Sequence, residues 1–302
     1  MASTGTPTSS SPWGSLQIPR PIQQLFNRFP LVTYNANNLP ARTQALTSSN
    51  LPTLHVFSTD EDALEGLPSF NPTCLKWQTL LRLTKTPHRI LPSTNHASPT
   101  GALPFLLPPQ STSSSTKPIP ASLLSAYATK HGAIPLPSSS SATKEETYLS
   151  LLTPIRNAFL YALYLDPKYS SLLDRLYIHP SSSSTLVRKT LRYQLRSAAA
   201  ASILQSRSLH PDSGREQIDG EAVFAEAQEA LEALAGVLNE REGWFFGNER
   251  PGEFDAAVFG YAHLILSFMD EEKGLGRVLR EVGEGAIVGH WKRVKIEAGW
   301  DI

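Results

Sequence analysis

The sequence predicts an α+β protein in which a small mixed domain precedes an all-helical domain. In residues 51–135, short apolar runs typical of strands stand on either side of a well-marked helix. In residues 145–302, apolar residues recur at three- and four-residue spacing, as they do along the buried face of a helix. A chain of 302 residues is long enough to bury two such cores.

Two short strands flank the predicted helix of the small domain. Residues 54–57, with the sequence LHVF, are rich in β-branched and aromatic side chains and predict the first strand. Residues 88–91 predict the second strand, and the acidic stretch at 60–65 predicts a loop. The order strand, loop, helix, strand is typical of the first half of a thioredoxin-like fold.

The helix between these strands has a start and an end that are visible in the sequence. Asn71 suits the N-cap position, and Pro72 suits the first helical position, where a backbone N–H is not needed. Pro87 cannot continue a helix and limits how far this one extends. We therefore expect the helix to lie between residues 72 and 86.

A proline stands directly before the next apolar run, GALPFLL at 101–107. Thioredoxin-like folds place a cis-proline at this point, so we predict that the Leu103–Pro104 bond is cis, although only about 5% of X–Pro bonds in folded proteins are cis. Pro120 is predicted to open a further helix, which Gly132 ends. Together these elements predict a thioredoxin-like domain over residues 51–135.

The start of the first predicted helix lacks the side chain on which redox and glutathione enzymes depend. Such enzymes keep a thiol, a serine or a tyrosine there, where the helix dipole stabilises a thiolate, whereas this chain has Asn71. Cys74 has no partner thiol, and a lone helical cysteine is usually a small buried apolar residue. Thr73 is a weak nucleophile without a base. We therefore expect binding rather than catalysis, and no catalytic residue.

The second half of the chain is predicted to be helical after a Ser-rich linker at 136–144. Residues 186–205 predict a basic helix without acidic residues, and residues 221–240 predict an acidic helix with one apolar stripe. The stripe is interpreted as a core face. The two charged surfaces are interpreted as solvated, with a pairing of the two helices as the alternative.

The most apolar segment, residues 254–269, predicts a buried core helix. Gly252 can serve as its N-cap, and Asp255 complements the positive end of the helix dipole. The apolar run at 256–269 is shorter than the ~20 residues that span a bilayer, so we predict no transmembrane segment. The preceding aromatic residues Trp244, Phe245 and Phe246 are interpreted as a hydrophobic plug under this helix.

The first fifty residues differ in composition from the rest of the chain. Residues 1–59 contain no Asp, Glu or Lys and only three arginines, a composition typical of a mitochondrial presequence. Four prolines would break the amphipathic helix that such a presequence needs, namely Pro7, Pro12, Pro19 and Pro21. We therefore interpret residues 1–50 as an extended Ser/Thr/Pro-rich arm, with a cleaved presequence as the alternative.

The overall composition disfavours several classes of partner and cofactor. Lys plus Arg and Asp plus Glu number 27 each, so net charge does not favour nucleic acid. The eight histidines are scattered without the spacing of metal ligands, and no Gly-rich phosphate loop occurs. We therefore expect neither a metal nor another cofactor. His263, inside the apolar helix, is interpreted as a hydrogen-bonded core residue.

Three segments resemble one known family. They are NPTCLKWQTLLRL at 71–83, NHASPTGALPFLLP at 95–108 and GWFFGNERPGEFDAAVFG at 243–260. Together they resemble the metaxins, and most closely the fungal peripheral subunit without a membrane anchor, the counterpart of metaxin 2. The resemblance covers residues 54–107 and 145–272. It implies a glutathione-transferase-like α+β fold, with a thioredoxin-like N-terminal domain followed by an all-helical C-terminal domain.

The resemblance also implies a function. Metaxins are subunits of the mitochondrial sorting and assembly machinery, so this chain would be a non-enzymatic peripheral subunit on the cytosolic face of the mitochondrial outer membrane. Its partners would be a β-barrel assembly subunit, a second metaxin-like subunit and β-barrel precursor proteins. In the family, this subunit is linked to recognition of the β-signal in a precursor's final strand, which needs shielding until it joins a sheet. The sequence does not assign the residues that bind the precursor.

Two other functions remain open on the sequence. A glutathione-transferase-like enzyme would place an acid–Ser pair after its fourth strand to hold the glutamyl group of glutathione. The matching residues here are Pro120, Ala121 and Ser122, which lack the acid. A cytosolic adaptor could use the same fold for protein docking, but it would leave the acid-free arm unexplained.

Overall fold

The computed structural model describes residues 50–109, 117–137, 147–207, 218–239, 243–283 and 285–300. The predicted arm apart from Asn50, residues 110–116 and most of the predicted linker lie outside the described residues. The domain boundaries therefore stay predictions. The described residues all belong to one compact unit, Pro40–Ile302.

A four-stranded sheet forms the centre of the first domain. Its strands are β1 (Thr53–Val56), β2 (Arg89–Pro92), β3 (Phe105–Leu107) and β4 (Ile119–Pro120). In the order β2-β1-β3-β4, β1 pairs in parallel with β2 and antiparallel with β3, which pairs antiparallel with β4. β1 and β2 each lie one residue from the strands expected from sequence.

The acidic stretch between β1 and β2 is a helix rather than the predicted loop. This helix, α1, spans Asp60–Glu65. The hydroxyl of Thr59 accepts the N–H of Asp62 at 3.1 Å, and Gly66 ends the helix in the left-handed conformation, with φ of 71°. The prediction was wrong because acidic residues in the first turn stabilise a helix by interacting with the positive end of its dipole. The caps Thr59 and Gly66 stabilise its two ends further.

The long helix of this domain, α2, spans Pro72–Leu83, with Asn71 as its N-cap, as predicted. It buries Leu75, Leu80 and Leu81 and ends four residues before Pro87. The sheet below it contributes Leu54 and Leu106, which are also fully buried. α2 therefore supplies the main apolar face of the small domain.

The segment after β3 differs from the prediction at its start. Pro120 belongs to β4, because Ile119 pairs with Leu106 of β3, and does not open a helix. A 3-10 turn over Ala121–Leu123 leads into helix α3 (Leu124–His131), which ends at Gly132 as expected.

The second domain consists of helices. Their bounds are α4 (Leu152–Leu160), α5 (Ser170–Leu173), α6 (Thr185–Ser206), α7 (Gly220–Asn239), α8 (Glu253–Phe268), α9 (Gly274–Gly283) and α10 (Ile287–Glu297). Two π-helical segments, Tyr161–Leu165 and Asp174–Ile178, continue α4 and α5. None of the helices in the described ranges combines the length and apolar character needed to cross a bilayer.

The apolar stripe of α7 is buried, which confirms it as a core face. Its Ala227, Leu231 and Leu234 are each at most 2% exposed. α8 is the central helix and packs against α2 of the first domain. The contact is close at Gly260, where an added Cβ would lie 2.8 Å from the carbonyl oxygen of Pro72, so a larger residue would separate the two helices.

The basic helix α6 is not simply solvated, which corrects the preferred interpretation of its charge. The guanidinium of Arg192 binds the carboxylate of Asp174, and that of Arg196 donates to the carbonyl of Leu165 at 3.0 Å. Beyond its C-terminus, Arg207 pairs with Glu226 of α7 at 2.5 Å. The arginines therefore mainly bind α6 to the π-helical region, because backbone carbonyls and Asp174 offer acceptors there.

Candidate binding site

The side chain of Asn71 caps the start of α2 by binding backbone N–H groups of its first turn. Its Oδ1 accepts the backbone N–H groups of Thr73 at 3.1 Å and Cys74 at 3.2 Å. Its own N–H donates to the hydroxyl of Ser69 at 3.2 Å. The N–H groups that stabilise a thiolate at this position in thiol enzymes are thus already engaged by a neutral amide.

Tyr177 of the helical domain covers Asn71, a contact that the sequence did not predict. The side-chain N–H of Asn71 donates to the Tyr177 hydroxyl at 3.3 Å, across 106 residues of sequence. The ring packs edge-on against Phe57 at 5.4 Å and Phe70 at 5.2 Å between ring centroids. Burial raises the pKa of Tyr177 well above its ordinary value, so the hydroxyl stays protonated.

Cys74 is a core residue, as the sequence predicts. Its side chain is fully buried in the first turn of α2. Burial raises the pKa of the Cys74 thiol to about 12, and interactions with the Phe57 backbone and the Ser69 side chain only partly oppose this rise. A thiol in this state is a poor nucleophile. Thr73, the other candidate, is exposed and lies on the far side of the helix start, beside Lys76 and Trp77.

The cis-proline predicted before β3 is present. The Leu103–Pro104 bond is cis, and the N–H of Leu103 donates to the side chain of Asn95 at 3.0 Å. At the position where glutathione transferases hold the glutamyl group, Ser122 is exposed at the start of the 3-10 turn. The cis-proline expected of a thioredoxin-like domain is therefore present, whereas the acidic residue that a glutathione enzyme would place beside Ser122 is absent.

A cavity of about 430 Å³ lies beside the start of α2. It opens between the carboxyl ends of β1 and β2 and the segment at 176–181 of the helical domain. Crevices at the carboxyl ends of parallel strands are common places for ligands. Six of its lining residues are apolar or aromatic, namely Phe57, Phe70, Pro92, Leu176, Tyr177 and Pro180.

The polar lining of the cavity has two notable features. The hydroxyl oxygens of Ser58 and Ser93 are buried and have no hydrogen-bond partner. Two carboxylates, Asp60 and Glu61, also line the cavity, and no Lys, Arg or His is found among the described lining residues.

A second buried polar cluster lies away from this cavity. His290 contacts Asp255, although sequence spacing gives no sign of a His–carboxylate pair. His263 accepts the indole N–H of Trp291 at 3.1 Å, so it is hydrogen-bonded as expected, although it is only partly buried. Phe245 of the predicted aromatic plug is buried against Phe254. In the described ranges, no group of three or more His, Cys, Asp or Glu residues could hold a metal ion.

Comparison with protein-family models finds two matches. Residues 72–169 match the glutathione S-transferase N-terminal domain, and residues 227–293 match the glutathione S-transferase C-terminal domain. The first match begins at Pro72, the first residue of α2. No curated protein matches the chain.

Solved structures of glutathione transferases are similar in fold. GSTFuA3 from Phanerochaete chrysosporium has a TM-score of 0.55 at 12% identity, covering 83% of this chain and 98% of that one. CsGST63524 of Ceriporiopsis subvermispora has a TM-score of 0.49 at 11% identity, covering 84% and 98%. A family member from Pseudomonas fluorescens has a TM-score of 0.44 at 14% identity, covering 91% and 92%.

At these identities the structural similarity concerns the fold and not the activity. The structure nevertheless contains both domains of the glutathione-transferase fold. The small sheet with its cis-proline forms the first domain, and α8 stands at the centre of the second. The chain therefore has glutathione-transferase-like N- and C-terminal domains, the first thioredoxin-like and the second all-helical.

Proposed function

We propose that this protein is a non-enzymatic peripheral subunit of the β-barrel assembly complex in the mitochondrial outer membrane. There it helps recognise the β-signal of precursors and insert β-barrel proteins. It lies on the cytosolic face and associates with the membrane through a barrel subunit and a second metaxin-like subunit. It uses no cofactor.

The observation that carries this proposal is that the start of α2 has no usable nucleophile. Asn71 replaces a nucleophile, caps α2 with its own side chain, and is covered by Tyr177. The nearest thiol, Cys74, is fully buried, with a pKa raised to about 12 by that burial. A transferase scaffold without a usable nucleophile favours binding over catalysis.

The positions of the three metaxin-like segments also support the proposal. The first segment forms the cap and body of α2, and the third forms the aromatic turn and the start of α8. These two segments contact each other directly, since Lys76 pairs with Glu253 at 2.6 Å. The second segment contains the cis-proline. The resemblance therefore lies on connected parts of the fold.

The proposal is tested by affinity purification of the tagged protein from its own cells in mild detergent. We expect a mitochondrial outer-membrane barrel and a second glutathione-transferase-like chain to co-purify in equal amounts. An unrelated outer-membrane protein with the same tag controls for detergent carry-over. Recovery of a lone homodimer would contradict the proposal.

A glutathione-transferase-like enzyme is the alternative, and the matches to the two glutathione S-transferase domain models are the observation that favours it. Asp60 and Glu61 line the cavity beside α2 without a basic side chain among the described lining residues, which disfavours the net negative charge of glutathione. Glutathione binding and conjugation to 1-chloro-2,4-dinitrobenzene test this alternative. A cytosolic adaptor is tested by fractionation, since it would not sediment with mitochondria.

A further inference from the structure

A pocket of about 280 Å³ lies where α2, α4 and α8 meet, and the proposed function makes no use of it. Residues from all three helices line this three-helix pocket, namely Lys76 and Trp77 of α2, Leu152 and Arg156 of α4, and Tyr261 of α8. α2 and α8 approach closely here because Gly260, the residue before Tyr261, has no side chain.

Arg156 brings to the pocket a positive charge that the described residues do not neutralise. Its Nη2 donates to the hydroxyl of Ser202 at 2.8 Å, and it forms no ion pair with a described carboxylate. A guanidinium carries five N–H donors, so one hydrogen bond leaves most of them available. The side chain is partly buried, and a partly buried charge without a counter-ion favours an anion beside it.

Tyr261 adds a hydrogen-bond donor close to this guanidinium. Its hydroxyl has no hydrogen-bond partner among the described residues, and the oxygen is not fully buried. Burial of much of the side chain raises the pKa of Tyr261 to about 12, and the positive charge of Arg156 partly opposes this rise. The hydroxyl is therefore protonated at neutral pH and can donate to a ligand.

The rest of the lining is apolar or already paired. Trp77 and Leu152 provide apolar surface, and the Lys76 ammonium lies over the Trp77 ring at 4.4 Å. Lys76 also pairs with Glu253 at 2.6 Å, so its charge is compensated. The described lining residues include no Asp or Glu. A ligand that complements these walls has one negative charge and an apolar body.

The volume of the pocket limits the ligand to a small molecule. At roughly 30 Å³ per non-hydrogen atom, the share of one water molecule in the liquid, this pocket holds about ten such atoms. A peptide segment or a nucleotide is larger than that, whereas a short-chain organic acid such as octanoate is of the right size.

We propose that the three-helix pocket binds a small organic acid. The carboxylate pairs with the guanidinium of Arg156, whose planar fork matches two carboxylate oxygens. It also accepts the hydroxyl of Tyr261. The apolar body of the ligand packs against Trp77 and Leu152. The inference goes beyond the proposed function, because it concerns this chain alone and holds whatever complex the chain joins.

This pocket is distinct from the position at which glutathione enzymes hold their substrate. Asn71, the cis-proline Pro104 and Ser122 do not line it. The first N–H groups of α2 do not contribute either, because Asn71 already binds those of Thr73 and Cys74. Recognition of the carboxylate therefore depends on side chains of α4 and α8.

The test uses the purified full-length chain and three probes with the same alkyl chain, with binding followed by NMR titration. The probes are octanoate, octanol and octylammonium, which differ in the charge of the head group. We expect octanoate to bind at least about tenfold more tightly than either of the others, since only octanoate can pair with Arg156. Glutathione is too large for the pocket and should not displace octanoate.

A charge variant then assigns the binding to this pocket. Arg156→Gln keeps a donor for Ser202 but removes the charge, so it should weaken octanoate binding at least about tenfold. Octanol binding should be unchanged in this variant, a result that a folding defect would not give. The matched control is Arg175→Gln, an exposed arginine outside the pocket, which should bind octanoate as the parent does.

A hydroxyl variant tests the second contact. Tyr261→Phe should weaken octanoate binding about three- to tenfold, since it removes one hydrogen bond to the ligand. It should fold normally, because the hydroxyl has no partner among the described residues. Circular dichroism checks the fold. Tyr193→Phe, at a position 74% exposed and outside the pocket, should leave octanoate binding unchanged.

Three results would overturn the inference. The first is that octanoate does not bind at millimolar concentration, or binds no more tightly than octylammonium. The second is unchanged octanoate affinity in both Arg156→Gln and Tyr261→Phe. The third is displacement of octanoate by glutathione, which would place the ligand at the position used by glutathione enzymes. None of these outcomes depends on recovery of a membrane complex, so failure here is distinguishable from failure of the proposed function.

Discussion

The Nε2 atom of His290 lies 2.9 Å from Oδ1 of Asp255, and both side chains are buried. The same carboxylate accepts the backbone N–H of Phe245 at 3.2 Å through Oδ1 and that of Gly252 at 2.8 Å through Oδ2. Asp255 thus connects the start of α8, the aromatic turn before it and helix α10.

Replacing Asp255 should strongly destabilise the protein. Asp255→Ala leaves buried donors from Phe245, Gly252 and His290 without an acceptor, which is expected to lower the free energy of unfolding by about 3–5 kcal/mol. Asp255→Asn keeps one acceptor oxygen and should lose less. Urea unfolding followed by circular dichroism measures both, and a loss below about 1 kcal/mol for Asp255→Ala would contradict the role assigned to it.

Asn71 should contribute to stability rather than to catalysis. Asn71→Ala removes the cap of α2 and the link to Tyr177, with an expected loss of about 1–2 kcal/mol in unfolding free energy. Tyr177→Phe removes only the hydroxyl contact and is expected to lose about 1 kcal/mol or less. Chemical denaturation of the two variants tests this order. Asn71→Ser should not generate glutathione-transferase activity, and measurable conjugation by that variant would revive the enzyme interpretation.

Cys74 should be unreactive and dispensable for function. Because the thiol is buried, with a pKa raised to about 12 by that burial, a disulfide reagent should not react with the native protein at pH 8. After denaturation, one thiol per chain should react. Cys74→Ala or Cys74→Ser should leave recovery of the complex nearly unchanged. Loss of function in a variant that still folds would instead indicate a thiol enzyme.

His55 should make stability depend on pH below neutrality. Burial, and secondarily the charge of Arg89, lower the pKa of His55 from 6.5 to about 4. The unfolded chain therefore binds more protons between these values, so this contribution is complete above pH 6.5 and is lost as the pH falls towards 4. We expect a loss of roughly 2 kcal/mol across this window from this residue.

The variant that tests this prediction is His55→Phe. Both ring nitrogens of His55 lack a partner, and the ring stacks on Phe105 with centroids 4.2 Å apart, so phenylalanine can replace it without losing a hydrogen bond. The variant should lose less stability than the parent between pH 6.5 and 4. The matched control is His96→Phe at an exposed position. Identical pH profiles for the parent and His55→Phe would refute the prediction.

Removal of residues 1–45 tests the role of the predicted arm. This segment is free of acidic residues and lysine and lies outside the resemblance to metaxins. We expect the truncated chain to fold but to recover less of its complex in the mild-detergent affinity purification. Circular dichroism establishes the fold. Unchanged recovery would show that the arm is not needed for assembly.

The sequence by itself determined the features whose causes are local. Asn71 and Pro72 predict the start of α2, because an N-cap and a first-turn proline act within one helical turn. Gly252 and Asp255 predict the start of α8 for the same reason. The apolar stripe of α7 follows from helical periodicity alone. The short helix α1 was missed because its two caps outweighed the loop-like composition of its body.

Only the tertiary structure decided which residues far apart in the sequence contact each other. Asn71 meets Tyr177 across 106 residues, and Asp255 meets His290 across 35. The cavity depends in the same way on Ser58, Ser93 and the segment at 176–181, which belong to different elements. Periodicity and capping fix which face of an element is buried, whereas the packing of two domains selects which side chains meet. For that reason the sequence predicted a helix start without a nucleophile but not the residue that covers it.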